Sequence, residues 1–396
     1  MRGWSPSLLG DFIKVKHGFA FSGEYITARI TKYILVTPGN FSIGGGFKGD
    51  KFKYFDGEIP NDYILKADDL VITMTDLSKE GDTLGYSALI PNSSNVFLHN
   101  QRIGLVKDVS PGLDKNFLYW LLRTQEYREY ILGSATGTSV QHTSPATILK
   151  YIFLLPSLPE QKAIAAVLSS FDDKIDLLHR QNATLEAMAE ALFRQWFVVE
   201  AKEEWEELSV GDIAEQVKLS ISPKAMPKEL FTHYSLPAYD AGKIPGKAIG
   251  ASILSNKFKI EENSILVSKL NPMFPRIWLL FDSLGANAIS STEFISVKQK
   301  RNGMLCFLYC LLKSKHVTEE FARAASGTSG SHQRITPKDI FSISFYAPSN
   351  DYLVAFANNV LPHFMKIKFN QTQICTLEKL RDTLLPKLMA GEVRVI

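Results

Sequence analysis

One long unit of sequence occurs twice in this chain, and a repeat of that length fixes the architecture before any motif is weighed. Trp4, with Gly10-Asp11 behind it, returns as Trp205 with Gly211-Asp212, a displacement of 201 residues. The run from Phe117 to Arg123 returns from Phe307 to Lys313, and Gly137-Thr138-Ser139 returns as Gly327-Thr328-Ser329, both at 190. Pro145, Ile148 and Pro156 return as Pro337, Ile340 and Pro348 at 192. Small drifts in the offset place insertions in loops, where they cost least.

Each copy has the same grammar. Short apolar stretches such as Asp69 to Thr75 and Ser264 to Ser268, broken by Gly, Pro, Asn and Asp, predict strands and turns. Helical pieces follow from Phe117 to Ile131 and from Leu305 to Ala322, and each copy closes on a long helix. The chain of 396 residues is long enough for two such units. The predicted class is α+β, with globular domains at 1–156 and 204–348 joined by two long antiparallel coiled-coil helices, at 157–203 and 349–396, in a pseudo-twofold repeat.

The first long helix is the clearest local signal. Ser157 and Glu160 have capping-box spacing, and no Gly or Pro interrupts the pattern from there to about Val198. At 1.5 Å per residue this is a rod of roughly 60 Å. Its heptad rows are Leu168, Ile175, Asn182, Ala189 and Trp196, and Phe171, Leu178, Leu185 and Leu192. The partner seam is Leu353, Val360, Ile367 and Ile374 with Phe356, Leu377 and Leu384, interrupted by His363, Asn370 and Arg381, with Pro362 a possible kink. Asn182 either faces Asn370 or His363 and sets register, or is a partly solvated residue at a loose point in the seam.

Composition excludes more than it identifies. Hydrophobic residues make up 45% and charged residues 21%, which is ordinary for a globular chain. No apolar run approaches the roughly eighteen residues that span a bilayer, and no apolar signal core follows Met1, so a cytoplasmic protein without membrane contact is expected. Cys306, Cys310 and Cys375 are too few for a disulfide framework or a zinc site and are expected as core thiols. Net charge is only +3, but Lys218 to Arg276 holds 9 basic against 4 acidic residues. Catalytic constellations are missing: no Walker A sequence, no His-Glu-x2-His, no Gly-x-Ser-x-Gly, no Cys-x2-Cys. The glycines at 44–46 lack the following helix that a phosphate cradle needs and are expected as a flexible surface loop. Asn271-Pro272-Met273-Phe274 is similar to the catalytic tetrapeptide of adenine-N6 methyltransferases, yet no Gly-rich cofactor loop precedes it. The chain is therefore expected not to be an enzyme, and to need no metal or cofactor of its own.

Taken in order, Trp4 with Gly10-Asp11, Asn100-Gln101-Arg102, Gly137-Thr138-Ser139 and Leu155 to Lys162 resemble the specificity subunits of type I restriction-modification systems. In the second copy the resemblance is carried by Ser268 to Pro272, Arg276-Ile277-Trp278, Ser291 to Phe294, Gly327-Thr328-Ser329 and Leu380 to Gly391. It departs from the family at Pro348 to Asp351, where the Leu-Pro-Glu-Gln pattern of 158–161 is absent. The resemblance implies two target-recognition domains, each reading half of a bipartite, asymmetric duplex DNA site, with the helices setting the spacer and docking partners. It implies two modification (methyltransferase) subunits that bring S-adenosylmethionine, and restriction (motor/endonuclease) subunits that bring ATP and Mg. A related type IIB-like assembly, or a coiled-coil scaffold without DNA readout, stays open.

Base readout needs Arg, Lys, Asn or Gln on exposed loops. The candidates are Lys269, Asn271 and Arg276 in a Pro-punctuated turn, and His332, Gln333 and Arg334 in the Gly/Ser loop. By the repeat, Gln141 and His142 are the first-copy counterparts of that loop, with Lys48, Lys51 and Lys53 on a basic strand edge.

Overall fold

The structure, a computed structural model, describes residues 3–78, 80–137, 140–281, 284–326 and 334–395. The chain forms two compact units, one of residues 1–177 with 373–396 and the other of residues 178–372. The divisions fall inside both long helices, so each unit holds one copy of the repeat and a length of each helix.

In the first unit a four-stranded sheet runs in the order Lys14–His17, Ile103–Lys107, Leu70–Thr73, Ser87–Leu89. A five-stranded sheet runs Ile26–Thr27, Lys53–Phe55, Tyr33–Val36, Val96–His99, Ile64–Leu65. Leu70–Thr73 is buried along its whole length because the four-stranded sheet has a core on both faces. Leu70 and Ile72 join the helical core of Phe117, Leu118, Trp120 and Ile131, while Val71 turns to Ile34, Val36 and Phe97 of the other sheet. Successive side chains on a strand point to opposite faces, so a strand between two cores reads as a continuous apolar run rather than an alternating one.

The second unit repeats this. Its four-stranded sheet is Ala214–Val217, Phe294–Gln299, Ser264–Ser268, Ile277–Leu280, and again Ile265 and Val267 face the helices while Leu266 faces the second sheet. Four strands of that second sheet, Gly246–Ile249, Leu230–Tyr234, Ala288–Ser290 and Lys257–Lys259, match the first copy's in order and sense, including the parallel central pair. The fifth strand lies at a different edge in each copy. Ile26–Thr27 pairs with Lys53–Phe55 in the first copy, whereas Leu219–Ile221 pairs with Lys257–Lys259 at the opposite edge in the second.

Three details explain the repeated residues. A methyl group at Gly10 would lie 3.0 Å from the Leu149 carbonyl oxygen, and one at Gly211 the same 3.0 Å from that of Phe341, so only glycine lets these backbones close. Trp4 donates its indole N–H to Glu160 at 3.0 Å, and Trp205 packs edge-on against Tyr352, the counterpart of Glu160 on the other long helix. The shorter helices are broken where single ones were expected. Thr124 accepts from the Tyr127 N–H and opens Gln125–Gly133 behind Lys115–Leu121. Extended Ser314 divides Leu305–Lys313 from Lys315–Ser326.

The central long helix spans Leu158–Arg194 and ends in a π-helical turn at Gln195–Val199, short of the expected residue 203. The C-terminal helix spans Asn350–Met389 and passes Pro362 without interruption. Within each unit the two run antiparallel. In the second, Trp196 and Phe197 meet Tyr352 and Phe356 while Asn182 meets Asn370. In the first, Leu168 shares a core with Leu384 and Leu388. Leu168, Ile175, Leu178, Val360 and Ile374 are buried, and Phe171, Leu185, Leu192, Ile367, Leu377 and Leu384 half-buried. The polar interruptions are paired. Asn370 Nδ2 donates to Asn182 Oδ1 at 2.9 Å, and Arg381 donates to Asp172 at 2.6 Å. No described helix is long and apolar enough to cross a membrane.

Candidate nucleic-acid interface

In the second unit, strand Ser264–Ser268 runs out into Lys269, whose backbone is fixed from both sides. The Lys269 N–H donates to the Glu293 carbonyl at 2.8 Å, and the Ile335 N–H donates to the Lys269 carbonyl at 3.0 Å. Leu270 bridges to Arg334, and Arg334 donates to Glu293 at 3.3 Å. Lys269, Asn271 and Arg334 are thus gathered at one end of the four-stranded sheet. Burial lowers the Lys269 ammonium below its ordinary value; Glu293 opposes this, while Lys218 and Arg334 add to it. The Lys269 Nζ donates to the Thr292 carbonyl at 2.5 Å, so part of its charge already has a partner. Arg276 stands apart, held bidentately by Asp240 at 2.7 and 3.0 Å. His332 and Gln333 lie outside the described residues.

The first unit builds the same corner. The Met74 N–H donates to the Arg102 carbonyl at 2.9 Å and the Thr143 N–H to the Met74 carbonyl at 3.0 Å, the same two bonds one repeat earlier. Thr75–Asp76 pairs with Gln141–His142, and the His142 ring sits 3.1 Å from the Thr75 hydroxyl. Behind the pair, burial pushes the Asp76 carboxyl up, but hydrogen bonds from Thr83 and Ser78 outweigh it and hold the carboxyl below its ordinary value. Asp76 is therefore a charged brace for the loop at 76–83. Arg102 and Lys218 were not among the sequence candidates. The signal lay in the match of Asn100 to Arg102 with Ser291 to Glu293, where the Arg102 N–H bonds the Asn100 side chain as the Glu293 N–H bonds the Ser291 side chain.

Lys48, Lys51 and Lys53 are exposed beside the five-stranded sheet, apart from this corner. Buried Asn40 shapes their turn, its Nδ2 donating to the carbonyls of Lys48 at 3.3 Å and Lys51 at 3.0 Å. The neighbouring glycine run is a correction to the flexible loop expected there. Gly45 is buried at φ +89, and a methyl group on it would lie 2.6 Å from Arg123 Cγ. Arg123 donates to the Gly44 carbonyl at 2.7 Å, to the Tyr119 hydroxyl at 2.6 Å and to Asp172 at 2.9 Å. Asp172 also accepts from Arg381, so one carboxylate on the central helix ties the loop to both long helices. Among the described residues no His, Cys, Asp and Glu side chains are grouped to hold a metal ion.

Residues 1–187 match the type I restriction modification DNA specificity domain. The first copy of the repeat is thus similar to that family. The chain is 28% identical over 318 residues to the type I restriction enzyme MjaIX specificity subunit of Methanocaldococcus jannaschii, covering 72% of this chain and 70% of that protein. It is 24% identical over 402 residues to the HindI specificity subunit of Haemophilus influenzae, covering 80% and 87%. In fold it resembles the crystal structure of a type I restriction-modification S subunit from M. genitalium, with a TM-score of 0.60 at 18% identity, over 98% of this chain and 96% of that one. Both relatives are named as specificity subunits, and the likeness takes in the second copy as well as the first.

Proposed function

We propose that this chain is the DNA-recognition subunit of a type I restriction-modification complex, with each copy of the repeat reading one half of a bipartite, asymmetric duplex site. The observation that carries this is the duplicated corner. The same pair of backbone hydrogen bonds holds Met74 beside Gln141 and His142 and holds Lys269 beside Arg334. Two equivalent sites on one chain fit a divided target, with the long helices governing the spacer.

Arg, Gln and Asn at these corners have the donors for base edges, while Lys48, Lys51, Lys53 and Lys218 supply phosphate contacts that position the protein. Catalysis belongs to partners in this proposal. Two modification subunits bring S-adenosylmethionine and methyl transfer, and restriction subunits bring ATP and Mg. The C-terminal helix presents Leu361, Met365 and Phe369 to solvent at successive four-residue steps, the pattern of a helix face that receives another helix.

Co-expression with the modification subunit of its own operon, followed by sequencing of host DNA for N6-methyladenine, tests the reading. One bipartite motif methylated around a fixed spacer is expected. Soluble, associated subunits that add no methylation would overturn it.

A further inference from the structure

Met273 and Phe274 have no part in the scheme above, and the geometry of the turn that carries them is unusual. Asn271 takes the left-handed conformation at φ +54, and the Phe274 N–H donates back to the Asn271 carbonyl at 2.9 Å, closing a tight turn. Pro272 is buried beneath it. Met273 and Phe274 are thrust outward, 58% and 71% exposed. An exposed phenylalanine beside an exposed methionine is a sizeable apolar tip, and it stands next to the corner of Lys269, Lys218, Arg334 and Glu293. The first copy repeats the juxtaposition: Leu77, directly after strand Thr75–Asp76, is 62% exposed beside the corner of Gln141 and His142.

We infer that the Met273-Phe274 tip is an apolar wedge that enters the base stack of duplex DNA at the half-site read by the second copy. This rests on the DNA-reading proposal and adds to it a mode of readout. A basic collar draws phosphates to the rim of the tip, and an apolar tip so placed has the bases as its partner. Phe, Leu and Met side chains pushed between base steps unstack them and bend the duplex, and the sequence dependence of that bending is itself a source of specificity. The Phe274 to Asn271 hydrogen bond already closes the turn and presents the tip outward before insertion. A protein partner for the same tip is the competing occupant, and the charge around it favours nucleic acid.

The test uses the full chain assembled with its modification subunit and a duplex carrying the methylated motif. 2-Aminopurine is placed at successive positions of each half-site, and dyes at the duplex ends report bending. Wild-type protein is expected to raise 2-aminopurine fluorescence at one step and to bring the ends together. The double variant Met273→Ala, Phe274→Ala should lose both signals and bind about tenfold more weakly. Its dependence of affinity on salt should be unchanged, because no phosphate contact is removed. Phe274→Leu should retain most of the bend. Equal fluorescence and bending in wild type and double variant overturn the wedge while leaving DNA reading intact. Loss of assembly with the modification subunit, with normal bending in the assembled fraction, overturns it in favour of a protein contact. Wild-type protein that binds no duplex overturns the DNA reading itself.

Discussion

His99 shows how a single side chain can tie stability to pH in this fold. It ends the strand Val96–His99, is fully buried, and its Nε2–H donates to the Ile103 carbonyl at 2.8 Å, while Nδ1 has no partner among the described residues. Burial pushes its pKa down to about 4, against which the bond to Ile103 works only in part. The unfolded chain therefore takes up the proton first as pH falls from near the ordinary value of 6.5. The stability that neutral His99 confers is fully present above about 6.5 and is lost progressively as pH drops toward 4, by on the order of 3 kcal/mol. Urea unfolding at pH 7 and pH 5 should show the loss, and His99→Gln should flatten it; parallel pH dependence in the two proteins would refute the assignment. No sequence pattern marks this histidine, because its burial comes from residues on other strands. The same holds for Gly45. Nothing within Phe41 to Gly49 names Arg123 as the side chain that pins the run, since Arg123 and Gly44 are 79 residues apart.

At the scale of elements, the helix seam was legible, and so in part were its polar breaks: Asn370 was one of two partners the sequence offered for Asn182, and the structure pairs them. A heptad of apolar residues identifies the buried face of each helix, but Arg381 reads as a defect until its partner across the seam is known. Asn370 is wholly buried with Asn182 as its close partner, and Arg381 meets Asp172. Asn182→Leu should cost about 1 to 3 kcal/mol by stranding the Asn370 amide. Asn182→Leu combined with Asn370→Leu should recover that loss, because an apolar pair leaves no unsatisfied group. Thermal melts of the three proteins, read as a double-mutant cycle, check this; additive losses would show that the two asparagines do not act as a pair. The split of each shorter helix is of the same kind. Thr124 and Ser314 can sit inside a helix or cap a new one, and the choice falls to whichever arrangement buries more of the apolar faces on either side.

At the scale of the whole molecule, duplication separates two tasks. If each copy reads its own half-site, exchanging residues 204–348 for the matching segment of a related specificity subunit should change one half of the methylated motif and leave the other unaltered. Sequencing of N6-methyladenine in cells carrying the chimera and the modification subunit measures this. A change in both halves would show that the copies read the target jointly. Drift between the copies is tolerated where it is cheap: the fifth strand lies at opposite edges of the sheet in the two copies, while the other four strands keep their order. An edge strand has one neighbour and can be relocated, whereas a central strand carries two cores and two ladders.

The sequence by itself determined the repeat, the α+β class, the two long helices and the absence of recognisable catalytic motifs, because periodicity, capping residues and motif spacing are local properties that need no knowledge of the fold. Only the tertiary structure decided which residues share a corner. Lys269 with Arg334, Met74 with Thr143, and Arg123 with both Gly44 and Asp172 are brought together by sheet pairing and by packing on the long helices. Such contacts join residues 49 to 79 positions apart, and what selects them is the burial of apolar surface by the whole unit.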